Sequence, residues 1–155
     1  MALSVVLIVA IRWLLCILFF PFSALDKIIN FRGAVAQARE AAGSDALAKI
    51  LILGGLGIEI LMPLAILTGV ADRPAALILA GYCGITALLW KQFWKPGDFF
   101  RAGASKGRDL FWDFLKNFSL AGGFMLIALG TTVQQADGFL THPQLSTQPY
   151  AVQSR

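Results

Sequence analysis

The sequence predicts an all-α integral membrane protein built as a bundle of four transmembrane helices. Hydrophobic residues make up 57% of the 155-residue chain and charged residues only 14%, against about 45–50% and about 25% in soluble domains. Mean hydropathy is +0.71, and a soluble domain this small has too little interior to hide so much apolar side chain. The apolar residues also gather into four blocks of about 20 residues or more, each able to cross a hydrocarbon core of about 30 Å. Backbone N–H and C=O groups in lipid need partners within the segment, so the blocks are helical.

The first block covers about residues 2–25 and is interrupted only by Arg12. No basic stretch precedes it, and Arg12 would fall inside the apolar part of a leader, so it reads as a retained span. The second covers about residues 47–70, the third about 75–94 and the fourth about 110–133. These make a transmembrane domain over residues 1–133, followed by a polar tail, 134–155, rich in Gln, Thr, Ser and Pro. Such a tail is expected to be disordered in a free chain and ordered only against a partner.

The connections differ. Residues 26–46 hold Lys27, Arg32 and Arg39 and a short surface helix around 34–42, which Gly43 stops before Ser44 and Asp45 cap the second span. Residues 71–74 form a tight turn that puts Pro74 at the first helical position of span 3. Residues 95–109 hold Lys95, Arg101, Lys106 and Arg108. The net charge of +4 therefore sits mainly in the two long loops. The positive-inside rule places these loops in the cytoplasm and both termini outside a multi-pass protein of the inner (cytoplasmic) membrane. Trp90, Trp94 and Trp112 mark the loop-side interface as a belt of aromatic anchors, the commoner use of such residues than ligand stacking. With lipid as its first partner and no basic patch interleaved with stacking aromatics, the chain is not a nucleic-acid binder.

Cys16 and Cys83 lie in separate apolar blocks, and the one histidine, His142, lies in the tail. Neither a zinc site nor a transmembrane haem with histidine ligands fits that inventory. No metal or covalently held cofactor is expected; a quinone or lipid is the remaining small-molecule candidate.

Ionisable groups within spans cost about 2.5–3.5 kcal/mol each on insertion scales and need partners. Arg12 and Glu59 both fall near the midplane by residue count, at roughly 15 and 18 Å from opposite faces. They are expected to pair, with Tyr82 at similar depth donating a hydrogen bond. A second polar cluster, Lys27, Asp113, Lys116 and Asn117, is expected nearer the charged loops. Asp113 is spaced i,i+3 from Lys116 and i,i+4 from Asn117, and Lys27 is placed to meet Asp113. Either cluster has a plain structural reading, a pair that fixes helix register. Gly54, Gly55 and Gly57 on span 2 and Gly122 and Gly123 on span 4 fit close helix packing, or room for a flat ligand. Pro63, one turn past Glu59, predicts a kink.

These features together resemble the DoxX family of small four-helix membrane proteins. The resemblance is carried by Arg12, the stretch 25–28 with Asp26 and Lys27, Ala42-Gly43, Glu59, Thr68-Gly69, Phe93-Trp94 and the run 114–123. It covers the chain up to about Val133. Where the family often has a His before Phe-Trp and a Pro after Ala-Gly, this chain has Lys91 and Ser44, so no role of that histidine carries over. What the resemblance implies is a non-catalytic accessory or anchoring subunit of a larger quinone-linked membrane redox complex. The alternatives are a quinone-reactive oxidoreductase subunit, with Arg12, Glu59 and Tyr82 handling protons, and a small solute or proton transporter. Four spans without an inverted repeat make the transporter the poorest fit.

Overall fold

The first apolar block does not form one straight helix. In the computed structural model, which describes residues 3–151, α1 (Leu3–Cys16) gives way to a wide π-type turn at Leu18–Ser23, then to α2 (Ala24–Ile29). Pro21 has no N–H and its ring crowds the preceding turn, so the α-ladder cannot run through it; Phe20 accordingly takes extended angles (φ −124°, ψ 119°). The block still spans Leu3–Ile29, longer than the expected 2–25.

A surface helix, α3 (Phe31–Ala42), follows, beginning a turn earlier than expected. Its Val35 and Ala38 bury against Ala48 and Ile52 of α4 (Asp45–Thr68). The junction is as the sequence implies: Gly43 takes the left-handed conformation (φ 72°) and the Ser44 hydroxyl accepts the Leu47 N–H at 3.3 Å. Helix α4 continues through Pro63, which lacks the N–H that would bond the Glu59 carbonyl. Helix α5 (Asp72–Trp90) starts earlier than expected. Pro74 is therefore its third residue rather than its first, still among the N-terminal positions whose N–H has no intrahelical partner.

After a loop at 91–105 comes α6 (Lys106–Leu129), capped by Ser105, and then α7 (Val133–Thr141), bent from α6 by 76°. Three segments, Leu3–Ile29, α4 and α5, are each long and apolar enough to cross a bilayer; α6 and α7 meet the same test only as a bent pair, which brings the candidate spans among the described residues to three or four. All regular elements among the described residues are helical. The fold is a helical membrane bundle.

Helix α5 is its centre and packs most extensively along α6, then α4. Its inner face is mostly small residues, Ala75, Ala76, Ala80, Cys83 and Ala87, around a fully buried Leu79, which lets neighbouring backbones come close where lipid gives no hydrophobic drive between helices. Phe124 on α6 is fully buried and packs on Phe19 of the π-turn (ring centroids 5.7 Å). Gly123 lets Leu15 approach, since a Cβ there would stand 2.9 Å from Leu15 Cδ1. Gly54, Gly57 and Gly122 have open space instead, so only part of the glycine set serves packing.

The tail departs most from expectation. Thr132 and Gln135 form a capping box that starts α7, and Phe139 buries its ring in the main core. The chain then returns over the turn between α4 and α5, where Ser146 donates to the Gly69 carbonyl at 2.5 Å and Tyr150 to that of Leu67. The tail's partner is its own bundle.

Loop 91–105 is tied to α6. Asp98 accepts the Lys106 and Gly107 N–H groups at 2.8 Å each, and Arg108 donates to the carbonyls of Phe99, Arg101 and Gly103. The Gly107 bond, followed by that of Lys106, holds the Asp98 carboxyl below its ordinary range. Its contribution is thus complete above the ordinary carboxylate pKa and fades as pH falls through the lowered value. Protection factors at Lys106 and Gly107 should hold constant down to about pH 4 and drop below it, and Asp98→Ala should remove that step. Phe124→Ala should destabilise the bundle by about 3–5 kcal/mol, read as loss of thermal stability in detergent.

Candidate functional site

Side chains on an α-helix lean toward its N-terminus. In two antiparallel spans, residues at the same depth therefore lean apart. Arg12 leans toward the end of the bundle that carries the α4–α5 turn. Glu59 leans toward the end with the long loops. The expected Arg12–Glu59 pair does not form for this reason, and two separate charge centres replace it.

At the turn end, Arg12 donates to the Ile66 carbonyl at 2.7 Å and pairs with Asp72 at 2.9 Å. Arg12 is 7% exposed and Asp72 fully buried. Thr147 from the tail completes the centre: its hydroxyl receives the Arg12 Nη2–H at 2.8 Å and donates to Asp72, which also accepts the Thr147 N–H at 2.9 Å. Both charges are fully engaged, which suits a latch between α1, α5 and the tail.

Toward the loop end, Glu59 is 2% exposed and accepts from three side chains. Lys27 reaches both carboxylate oxygens (2.7 and 2.9 Å), Ser23 reaches Oε1 at 3.0 Å and Tyr82 reaches Oε1 at 2.9 Å. Lys27 also donates to the Ser23 hydroxyl at 2.7 Å. The broken first span makes this possible, because Ser23, the last residue of the π-turn, stands one helical turn before Lys27 on α2. Tyr82 thus takes the partner expected of it, and Lys27 does not: it joins Glu59, not Asp113.

Asp113 instead receives Lys91 at 3.1 Å and Lys116 at 3.3 Å, while Asn117 donates to its carbonyl at 2.9 Å. All these groups line one cavity of about 800 Å³ between α2, α3, α4, α5 and α6. Glu59, Lys27, Ser23 and Tyr82 form a deep polar spot, and Lys91, Asp113, Lys116 and Asn117 lie toward the loops. The walls between are apolar, including Phe19, Ile52, Ile58 and Leu120, with Gly54 and Gly55 keeping the α4 wall flat. Trp90 also lines the cavity, with its indole N–H out of solvent and unpartnered; Trp94 and Trp112 are exposed, 51% and 60%, as interfacial anchors would be.

A buried carboxylate surrounded by donors can exchange a proton or present its donors to a carbonyl oxygen, within walls that accept a flat apolar body. Sequence reasoning missed Ser23, Lys91, Asp72 and Thr147. Ser23 had a signal, its i,i+4 spacing to Lys27; Asp72 read as a turn residue, and Thr147 had no local signal at all.

The DoxX family model matches residues 7–92. The chain belongs to the DoxX family. The match contains Arg12, Lys27, Glu59, Tyr82 and Lys91 and ends before the 114–123 run. No curated protein and no solved structure matches the chain.

Removing either member of the Lys27–Glu59 pair strands the other charge in an apolar setting. Glu59→Gln and Lys27→Met should each cost about 3 kcal/mol, near the low end for buried pairs because Lys27 is 19% exposed. The double variant should be less destabilised than the sum of the two, as a double-mutant cycle in detergent would show.

Proposed function

We propose that this DoxX protein is a small accessory subunit that binds a quinone-class ligand in the cavity around Glu59 and serves a larger redox complex of the inner membrane. The observation that carries this reading is a mainly apolar cavity with one buried, multiply donated carboxylate. Its volume of about 800 Å³ falls in the range of small-molecule pockets, about 300–1,000 Å³. Lys27 and Tyr82 are donors suited to a ring carbonyl, and Phe19, Ile58 and the glycine-flattened α4 face suit a planar apolar body. The one histidine of the chain lies outside the spans, so its residues favour holding a ligand over carrying electrons themselves, and electrons would come from another chain. The charge bias of the long loops supports placing the loop end, and the cavity's charged mouth, on the cytoplasmic side.

A second reading, a quinone-reactive subunit, is favoured by two proton-bearing groups, Tyr82 and Lys27, meeting the same carboxylate at hydrogen-bond distance.

Gly54 offers a clean test of binding, because a Cβ there meets nothing within 4 Å. Gly54→Leu should project an isobutyl group into the cavity without disturbing the bundle and weaken binding of a decyl-benzoquinone by about ten-fold or more, measured by tryptophan quenching. Unchanged affinity with an intact fold would overturn the ligand site. For the subunit role, extraction of native membranes in mild detergent should recover a partner bearing a redox cofactor, and recovery of the protein alone would overturn it.

A further inference from the structure

A second, smaller cavity of about 420 Å³ opens at the loop end, between α3, the end of α5 and the start of α6. It is lined by groups of both signs, Lys95, Lys106 and Glu40, together with the amides of Gln37 and Gln92. Among the described residues none of these three charged side chains takes part in an ion pair. The Lys106 backbone N–H is committed to Asp98, but its ammonium is not. Leu89 and Leu110 give the cavity an apolar side. Trp90, whose buried indole N–H lacks an acceptor, forms part of the wall between this cavity and the larger one.

We propose that this cavity binds a zwitterionic phosphoethanolamine headgroup, its phosphate on Lys95 and Lys106 and its primary ammonium on Glu40. Two unpaired ammonium groups on the basic end of a membrane bundle attract a lipid phosphate. A carboxylate in the same cavity would repel a purely anionic headgroup and accept hydrogen bonds from a primary ammonium. A quaternary choline has no N–H to donate. The site lies at the level of the exposed Trp94 and Trp112, where headgroups reside, and Leu89 and Leu110 meet the start of an acyl chain. The same headgroup chemistry occurs in a phospholipid and in free phosphoethanolamine.

Native mass spectrometry of the full chain in mild detergent, with equal amounts of phosphatidylethanolamine, phosphatidylglycerol and phosphatidylcholine, tests this directly. The wild type should retain phosphatidylethanolamine preferentially, and the Lys95→Gln/Lys106→Gln variant should lose about ten-fold or more of that retention. Glu40→Gln should shift the preference toward phosphatidylglycerol. Addition of free phosphoethanolamine separates the sources: displacement assigns the site to a soluble ester, and persistence of the bound lipid assigns it to the membrane. All three positions are exposed, so circular dichroism should confirm intact helices in each variant. Equal retention of the three lipids by the wild type, wild-type retention by the lysine variant, or an unchanged preference in Glu40→Gln would overturn the proposal.

Discussion

Glu59 sets the interior of this bundle. A carboxylate alone in a low-dielectric interior costs several kcal/mol, and this one is tolerated because Lys27, Ser23 and Tyr82 converge on it. Those donors come from the end of the π-turn, from α2 and from α5. Satisfying one side chain on α4 thus fixes how the first and third spans sit against the second. The cavity exists where they meet, since large groups stand back from a centre that small residues on α4 leave open.

The break at Phe20 and Pro21 is the counterpart of that centre. A straight first helix would keep a continuous α-helical register from Arg12 to Lys27. The wide turn resets the register, so that Arg12 serves the turn end and Ser23 and Lys27 serve Glu59. The tail reinforces the other pole: the Thr147 hydroxyl bonds to both members of the Arg12–Asp72 pair, and Tyr150 and Ser146 fasten to the α4–α5 turn. Arg12 and Glu59 are thus each matched on the side of the bundle toward which the side chain leans.

Much of the fold was legible because the signals were local. Apolar block length reported the spans, and Gly43 and Ser44 reported the α3–α4 junction through a left-handed stop and a hydroxyl cap. Tyr82, placed by depth beside the expected Arg12–Glu59 pair, donates to Glu59 alone. Depth failed for Arg12 and Lys27, since counting residues locates the Cα while a long side chain ends several ångströms toward its helix N-terminus. Pro21 was present in the sequence as a breaker, but its effect on register was not read from composition. The tail's polar residues carried no sign that they would bond to a turn some 75 residues earlier, because such pairings are set by tertiary geometry rather than by pattern.

The account stands on which cation neutralises Glu59. Solid-state NMR dephasing between a labelled Glu59 side-chain carboxyl carbon and the labelled side-chain nitrogens of lysine or arginine, in lipid, measures that pairing directly. Strong dephasing from lysine that disappears in Lys27→Met, with none from arginine, is the predicted result, in keeping with the 2.7 Å contact between Lys27 Nζ and Glu59 Oε1. Dephasing from arginine that disappears in Arg12→Met, with lysine silent, would contradict it.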